Sequence, residues 1–404
     1  MIVEDLNCVP DQYVFHVADE HGREIRIFKI VDVQAVGQTY YPTVALYSRE
    51  QIFNPIRERV MSLPDVAPRL LEKPSISKVH RIEVTPVFFF VYNVDNYYHF
   101  LYDTLPYLIT YQHLRKVVPH LKLLINTANR QQRKLNQFVT EFLSLLDIQE
   151  SDLVLFDDET LYRDVYISSS YTHDNQSNDP PRQEVYDLYK RLGDKVECDP
   201  KLPRKIYVSR RSYKHAKYDN IGTNYTTRRN FVNESEFVSL LESHGYTEVF
   251  TELLTTREKI ALFKGCTHVI GPIGGGLCNV LFSSPQTKLI SIVSPHFLDI
   301  NKRFCYSFAN VDVGYFYDTQ HIETSEHKRY MRVRIKPLNL IGEIADVLKD
   351  DVCVAYSDDP VAGWNAQHTY NIKVVPKDTV EILDPGLNSA WTMDLTKFAE
   401  TVDV

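Results

Sequence analysis

The clearest pattern of apolar and polar positions lies between residues 204 and 293. Lys205 to Ser209 reads as a strand. Asn233, with Glu236 three residues on, has the spacing of an N-cap and N3 pair. The helix it opens carries Phe237, Leu240 and Leu241 on one face and stops at Gly245. Thr247 to Phe250 is a strand, and Thr255 with Glu258 repeats the capping pattern for a helix ending at Gly265. His268 to Ile270 is a strand, followed by a glycine turn, a helix from about Gly276 to Phe282 and a strand from Lys288 to Val293. Strands and helices alternating at this spacing predict a parallel, Rossmann-like sheet. Ligands in such sheets bind beyond the carboxyl ends of the strands.

Residues 81–195 show the same alternation more weakly. Strands are expected at Val87 to Tyr92, Leu121 to Ile125, Leu153 to Phe156 and Val165 to Ser168. Helices are expected from about Tyr97, from Gln131 to Leu146 and from Arg182 to Leu192. Residues 1–80 read as a β-rich segment, with Tyr13 to Val17 and Glu24 to Phe28 as strands around a turn at Gly22. A polar linker, Asp194 to Arg204, holds Pro200 and Pro203. Four regions follow: a β-rich N-terminal segment at 1–80, an α/β domain at 81–195, a Rossmann-like domain at 196–310, and a C-terminal extension at 311–404. In the extension, Tyr330 to Ile335 and Tyr370 to Val375 read as strands and Leu338 to Leu348 as a helix. Whether it is its own module or packs back on the first half stays open.

Composition narrows the function classes. The chain has 404 residues, enough for two domains, and 44% of them are hydrophobic. A net charge of -8 argues against nucleic acid and against an anionic membrane surface as partners. The six cysteines (Cys8, Cys198, Cys266, Cys278, Cys305, Cys353) form no CxxC pair, so they read as buried thiols in a reducing compartment rather than a zinc site. The N-terminal Met1-Ile2-Val3-Glu4-Asp5 is acidic and lacks an apolar h-region. No run is long enough to span a membrane, and a cytoplasmic setting is expected. The Asn-x-Ser/Thr sequons at Asn175, Asn224 and Asn233 are read as chance.

Four features bear on chemistry. The first is the turn Gly274-Gly275-Gly276 after the strand His268 to Ile270. Glycines let a backbone turn tightly and let a phosphate approach it, and the following helix adds outward N–H groups. Asn279, one turn in, could add a side-chain donor. The turn lacks the Walker ending and the GxGxxG spacing, and a plain strand-to-helix turn uses the same residues. The second is Tyr207-Val208-Ser209-Arg210-Arg211, whose arginines end the first strand of that domain. Guanidinium forks suit diphosphate oxygens, although a solvated surface pair has the same sequence. Arg228 and Arg229 add two cations nearby. The third is Asn96 to Pro106, where Asn96 can cap a helix that sets His99 and Asp103 four apart on one face. A carboxylate with an imidazole can serve as a general base, and a local helix contact fits the spacing as well. Pro106 is expected to kink or restart the helix. The fourth is the absence of Asp-x-Asp anywhere in the chain. Metal-bound nucleotide sugars commonly need such carboxylates, so no metal is expected. The 26 tyrosines and 20 phenylalanines suit sugar stacking and an ordinary core equally.

Taken in order, NYYHFLYDTLP at 96–106, IYVSRR at 206–211, RRNFVNESEF at 228–237, TELLTTREKIALFKGCTHVIGPIGGGLCNVLF at 251–282 and LISIV at 289–293 resemble the signature blocks of glycosyltransferase family 61. That family includes plant xylosyl- and arabinosyltransferases and animal O-linked N-acetylglucosaminyltransferases. The resemblance covers roughly residues 80–300 and is carried by the ordered set of blocks. It implies an α/β, GT-B-like fold with two Rossmann-like domains facing a cleft. It also implies inverting, metal-independent transfer of a sugar such as xylose or N-acetylglucosamine from a nucleotide diphosphate, usually UDP. The acceptor would be a glycan, polysaccharide or glycoprotein, and no further cofactor is implied.

Residue by residue, the resemblance implies Asp103 or His99 as the acceptor-side base. Arg210, Arg211 and Arg229 would hold the donor's charged part beside Ser209. Gly274, Gly275, Gly276 and Asn279 would form the donor turn, and Glu252 and Glu258 would meet its ribose or base. The chain departs from the family at the turn, where G-x-H-G-A-G-L becomes Gly271-Pro272-Ile273-Gly274-Gly275-Gly276-Leu277, with Ile273 replacing the histidine. An insertion, Ser212 to Thr227, separates the arginine pairs. With no anchor in view, a bacterial or viral member is expected. The mechanism expected is a single displacement with Asp103 taking the acceptor's proton. Two other classes remain: a non-catalytic nucleotide- or glycan-binding relative, and an NAD-dependent enzyme using Glu252 on a ribose.

Overall fold

The computed structural model describes residues 14–15, 25–36, 45–48, 51–53, 79–92, 94, 96–127, 134–157, 159–168, 170–172, 181–211, 230–295, 307–322, 326–328, 331–356, 371–384 and 390–401. These residues build four sheets. The chain divides into two units: Met1–Cys198, Asp219–Thr223 and Thr255–Ala261 in the first, Asp199–Tyr218, Asn224–Leu254 and Leu262–Val404 in the second.

Unit 1 holds one mixed sheet. Its strands are β1 (Val14–Phe15), β2 (Ile25–Val36), β3 (Ala45–Ser48), β4 (Gln51–Phe53), β5 (Arg81–Glu83), β6 (Val87–Phe90), β7 (Lys122–Ile125), β8 (Leu153–Leu155) and β9 (Thr160–Ser168). The order is β4-β3-β2-β9-β6-β7-β8, with β1 beside β2 and β5 beside β9. β6 runs parallel to β7 and β9, and β7 parallel to β8. All four residues of β6 are buried, as an inner parallel strand requires. The helices are α1 (Leu108–Leu114), α2 (Gln137–Leu145) and α3 (Gln183–Asp194). α2 buries Phe138, Val139, Phe142, Leu143 and Leu145 at helical spacing. The β-rich N-terminal segment is not separate from this sheet. β2 pairs antiparallel with β9 from Ile27↔Ser168 to Gln34↔Leu161, so residues on both sides of position 80 share one layer.

Unit 2 contains β10 (Lys205–Val208), β11 (Asn230–Phe231), α4 (Glu234–Ser243), β12 (Thr247–Val249), β13 (His268–Pro272), β14 (Lys288–Ile292) and β15 (Asp312–Phe316). The helix α5 spans Thr256–Gly265. Five strands form a wholly parallel sheet in the order β12-β10-β13-β14-β15. This is the expected Rossmann-like sheet, with one strand more than the sequence reading gave it. β15 lies beyond position 310 and pairs with β14 from Lys288↔Asp312 to Ile292↔Phe316.

The C-terminal residues also belong to unit 2 and not to the first half. β16 (Thr319–His321) and β22 (Ala390–Met393) join β11 in a three-stranded sheet, and α6 (Leu395–Thr401) follows. Trp391 stacks on Phe231 with ring centroids 4.2 Å apart, and Phe398 meets Phe237 and Phe316 edge-on. These rings share one core with Tyr207, Ile270 and Ile292 of the parallel sheet.

Between them, β17 (Arg332–Ile335), β18 (Leu340–Val347), β19 (Asp351–Tyr356), β20 (Asn371–Pro376) and β21 (Val380–Asp384) form an antiparallel sheet with its own core. Here the expected helix at Leu338 to Leu348 is instead β18. Leu340 and Ile344 have helical spacing, but burial alternates with period two, Gly342 and Ile344 inside and Ile341 and Ala345 outside. Gly342 fits the strand because a Cβ there would lie 2.4 Å from the Ala355 carbonyl. The Gly276 to Phe282 helix is a 3₁₀ segment, Gly275–Phe282. Cys266 and Cys278 are buried thiols, and burial pushes the Cys266 thiol up to about 12. Cys198 is free and exposed, and Cys353 is free and half-buried. Cys8 and Cys305 lie outside the described residues. Among the described residues, no helix is long and apolar enough to cross a membrane.

Candidate functional site

In unit 1, the chain leaves β6 and reaches Asn96, whose Oδ1 accepts from the backbone N–H of Tyr98 at 3.0 Å and of His99 at 3.3 Å. That is the expected cap, but the helix it opens is not a regular α-helix. His99–Thr104 is a π-helix, Leu105–Tyr107 a 3₁₀ turn containing Pro106, and only then does α1 begin. Single π-turns concentrate at functional sites. The segment is held by rings. Phe100 packs on Phe90, Phe138 and Phe142, and Tyr98 stacks on Tyr102. The Lys259 ammonium sits 4.4 Å from the Tyr97 ring centroid, and Tyr189 Oη donates to the Leu101 carbonyl.

His99 Nδ1 and Asp103 Oδ2 lie 2.6 Å apart, with side chains 27% and 8% exposed. The carboxylate is therefore buried behind the imidazole. A ring that donates Nδ1–H to a carboxylate presents Nε2 as its proton acceptor. The contact expected from the i, i+4 spacing is present, and burial makes the histidine the more accessible partner.

In unit 2, β10 has β12 on one side and β13 on the other. The sheet order reverses at β10, so the crevice at the carboxyl ends of β10 and β13 is the ligand position of an open α/β sheet. Three chain segments converge there. Ser209 and Arg210 follow β10, the 3₁₀ turn Thr251–Leu253 follows β12, and the glycine turn follows β13. A Cβ on Gly276 would lie 2.8 Å from Val208 Cγ1 and 2.9 Å from Thr251 Oγ1. Close approach of these segments, not backbone dihedrals, demands glycine at 276. Gly274 is extended (φ 168°), and only Gly245 among the described glycines is left-handed. The hydrogen bond from Leu277 N–H to the Gly274 carbonyl (3.1 Å) opens the 3₁₀ ladder, so the N–H groups of Gly275 and Gly276 precede it.

The other sequence-derived candidates divide. Arg210 is half-buried, and burial lowers its pKa while Glu234, Tyr207 and Glu252 act in the opposite sense. Arg211 forks onto Glu248, Nε and Nη2 each at 2.5 Å, and its Nη1 donates to Ser235 Oγ at 3.1 Å. The Glu248 bonds raise its pKa and tie it to β12, while the Ser235 bond ties it to α4. Glu252 is half-buried, and its Oε1 is buried without a hydrogen-bond partner. Asn279 is fully buried and its Nδ2 donates to the Gly276 carbonyl at 2.8 Å, so it braces the turn from behind. Ile273, at the family's histidine position, is 1% exposed. Glu258 closes a capping box in unit 1, its Oε2 accepting from Thr255 N–H at 2.7 Å and Thr255 Oγ at 2.8 Å, and is not part of the cluster in unit 2. Arg228 and Arg229 lie outside the described residues. Among the described residues, no group of three or more His, Cys, Asp and Glu is placed to hold a metal ion.

One residue of this cluster escaped the sequence reading. Glu234, 4% exposed, accepts at Oε1 from Tyr207 Oη (2.8 Å), Ser209 Oγ (3.0 Å) and Arg210 N–H (3.0 Å). Burial and this carboxylate raise the Tyr207 pKa, which keeps the phenol a donor.

A parallel α/β sheet with a glycine turn and an arginine at its switch point has the layout in which open α/β sheets take ligands. Residues 97–290 match the family model Glycosyltransferase 61. This match, over just under half of the chain, supports its assignment to glycosyltransferase family 61 and, with it, transferase activity. The activity class implies a sugar donor and a glycan acceptor. A comparison with curated proteins found no match.

Proposed function

We propose that the protein is an inverting, metal-independent transferase of GT-B type that moves a sugar such as xylose or N-acetylglucosamine from UDP to a hydroxyl of a glycan, polysaccharide or glycoprotein. The observation that carries this reading is the convergence of three strand ends on Gly276 at the switch point of the unit 2 sheet. The N–H groups of Gly275 and Gly276 and the Arg210 guanidinium suit a diphosphate. Glu252, with its unpartnered Oε1, suits a ribose hydroxyl as donor. The GT-B reading rests on the family and on each unit having an α/β sheet of its own.

In the proposed step, the acceptor oxygen bonds to the anomeric carbon as the bond from that carbon to the diphosphate breaks. UDP leaves with the electron pair, its charge met by Arg210 and the turn, so no acid is needed. The acceptor's proton needs a base, and within unit 1 His99 Nε2 is the group suited to that role. Asp103, accepting from Nδ1–H at 2.6 Å, orients the ring and stabilises the imidazolium. The proton is assigned to His99 rather than Asp103 because the carboxylate is the more buried of the two.

A thermal-shift panel of UDP, UDP-sugars, GDP and NAD, with and without EDTA, tests the reading. The expected result is a rise in melting temperature with UDP or one UDP-sugar that survives EDTA. A shift lost on chelation removes metal independence. A shift with NAD alone, or with none of the ligands, removes the donor assignment.

A further inference from the structure

Glu234 has no assigned role, and its surroundings are unusual for an acid at the first position of a helix. It is 4% exposed, and one oxygen collects three donors from the strand end next to it. Two are side chains, Tyr207 Oη and Ser209 Oγ. The third is the backbone N–H of Arg210, so the carboxylate fixes where the chain turns after β10. Ser209 Oγ in turn accepts from Arg211 N–H at 3.2 Å. The start of α4 suits a carboxylate through the helix dipole. α4 itself is anchored elsewhere, because the Asn233 amide pairs with both backbone groups of Met393: Nδ2 donates to its carbonyl at 2.8 Å, and its N–H donates to Oδ1 at 3.1 Å. Glu234 is therefore a rigid post against which the Ser209–Arg210 turn is set.

We propose that Glu234 is a positioning residue for donor binding. Its Oε1 holds the Arg210 backbone so that the guanidinium meets the diphosphate, and Glu234 itself does not touch the donor. This rests on the donor reading above. What matters is the reach of the acceptor oxygen, because all three bonds converge on it. Aspartate keeps the charge and the preference for the first helical turn but withdraws the oxygen by one methylene. Glutamine keeps the reach and an acceptor oxygen but removes the charge.

The test is UDP affinity by calorimetry for wild type, Glu234→Asp, Glu234→Gln, Arg210→Ala and the double variant Glu234→Asp/Arg210→Ala, with melting curves for each. The expected result is at least a tenfold loss for Glu234→Asp and less than threefold for Glu234→Gln. Glu234→Asp should add no further loss to Arg210→Ala. Wild-type affinity in a folded Glu234→Asp protein overturns the proposal. So does a full tenfold loss persisting on the Arg210→Ala background, since a merely structural role is additive. A larger loss in Glu234→Gln than in Glu234→Asp also overturns it, by assigning the effect to charge. If UDP does not bind the wild type, or binds Arg210→Ala as tightly, the donor reading fails instead.

Discussion

In the proposed step His99 and Asp103 handle the acceptor's proton, and their unequal burial assigns them unequal roles. A base assisted by a buried carboxylate contributes about 10²–10⁴ to the rate. His99→Ala is therefore expected to lower kcat at least about a hundredfold with UDP affinity unchanged. Asp103→Asn is expected to lower kcat as well, because the amide no longer favours the required tautomer. Steady-state kinetics beside UDP titration checks both, and kcat near wild type in His99→Ala would remove the histidine from the base role. The arginines also separate at this scale. Arg211 is committed to Glu248 and Ser235, so the proposed donor contact is assigned to Arg210. Sequence pointed to His99, Asp103, Arg210 and Arg211 but not to Glu234, Ser235 or Glu248. Their partners lie 24 to 37 positions away, beyond the reach of local spacing.

Among the elements, the strand ends of the unit 2 sheet carry the proposed donor site, and they meet at Gly276. Gly276→Ala places a Cβ 2.8 Å from Val208 and 2.9 Å from Thr251. The turn must move away from β10, and UDP affinity is expected to fall at least about tenfold while the melting temperature drops modestly. Calorimetry and thermal melts on that variant check this; unchanged affinity would mean that the turn is only a connection. The βαβ alternation of residues 204–293 was legible because capping pairs and apolar faces repeat at short range. The Thr255–Glu258 box forms as its spacing implies. Asn233 occupies the N-cap position of α4, as its sequence implies, but its side chain makes no cap hydrogen bond. Its amide is taken by Met393, 160 positions on, and no local rule contains that contact. β18 was misread for a related reason. Its period-two burial is set by β17 and β19 beside it, while its sequence satisfies a helical spacing equally.

For the molecule as a whole, β22 and α6 complete the core beneath the parallel sheet of unit 2. Trp391 is 1% exposed and Phe398 fully buried, both in the cluster of Tyr207 and Phe237. Truncating a buried aromatic costs about 3–5 kcal/mol. Trp391→Ala is expected to destabilise unit 2 by that order, read as an earlier transition in denaturant melts, and UDP is expected to restore part of it by mass action. An unshifted transition would contradict the packing of residues 390–401 on this unit.

The central claim is that the switch point of the unit 2 sheet binds a nucleoside diphosphate. A crystal structure of the protein with UDP tests it most directly. The expected result is a diphosphate within hydrogen-bonding distance of the Gly275 and Gly276 N–H groups and of the Arg210 guanidinium, with the ribose at Glu252. UDP bound elsewhere, or bound with the glycine turn and Arg210 out of contact, would contradict the account.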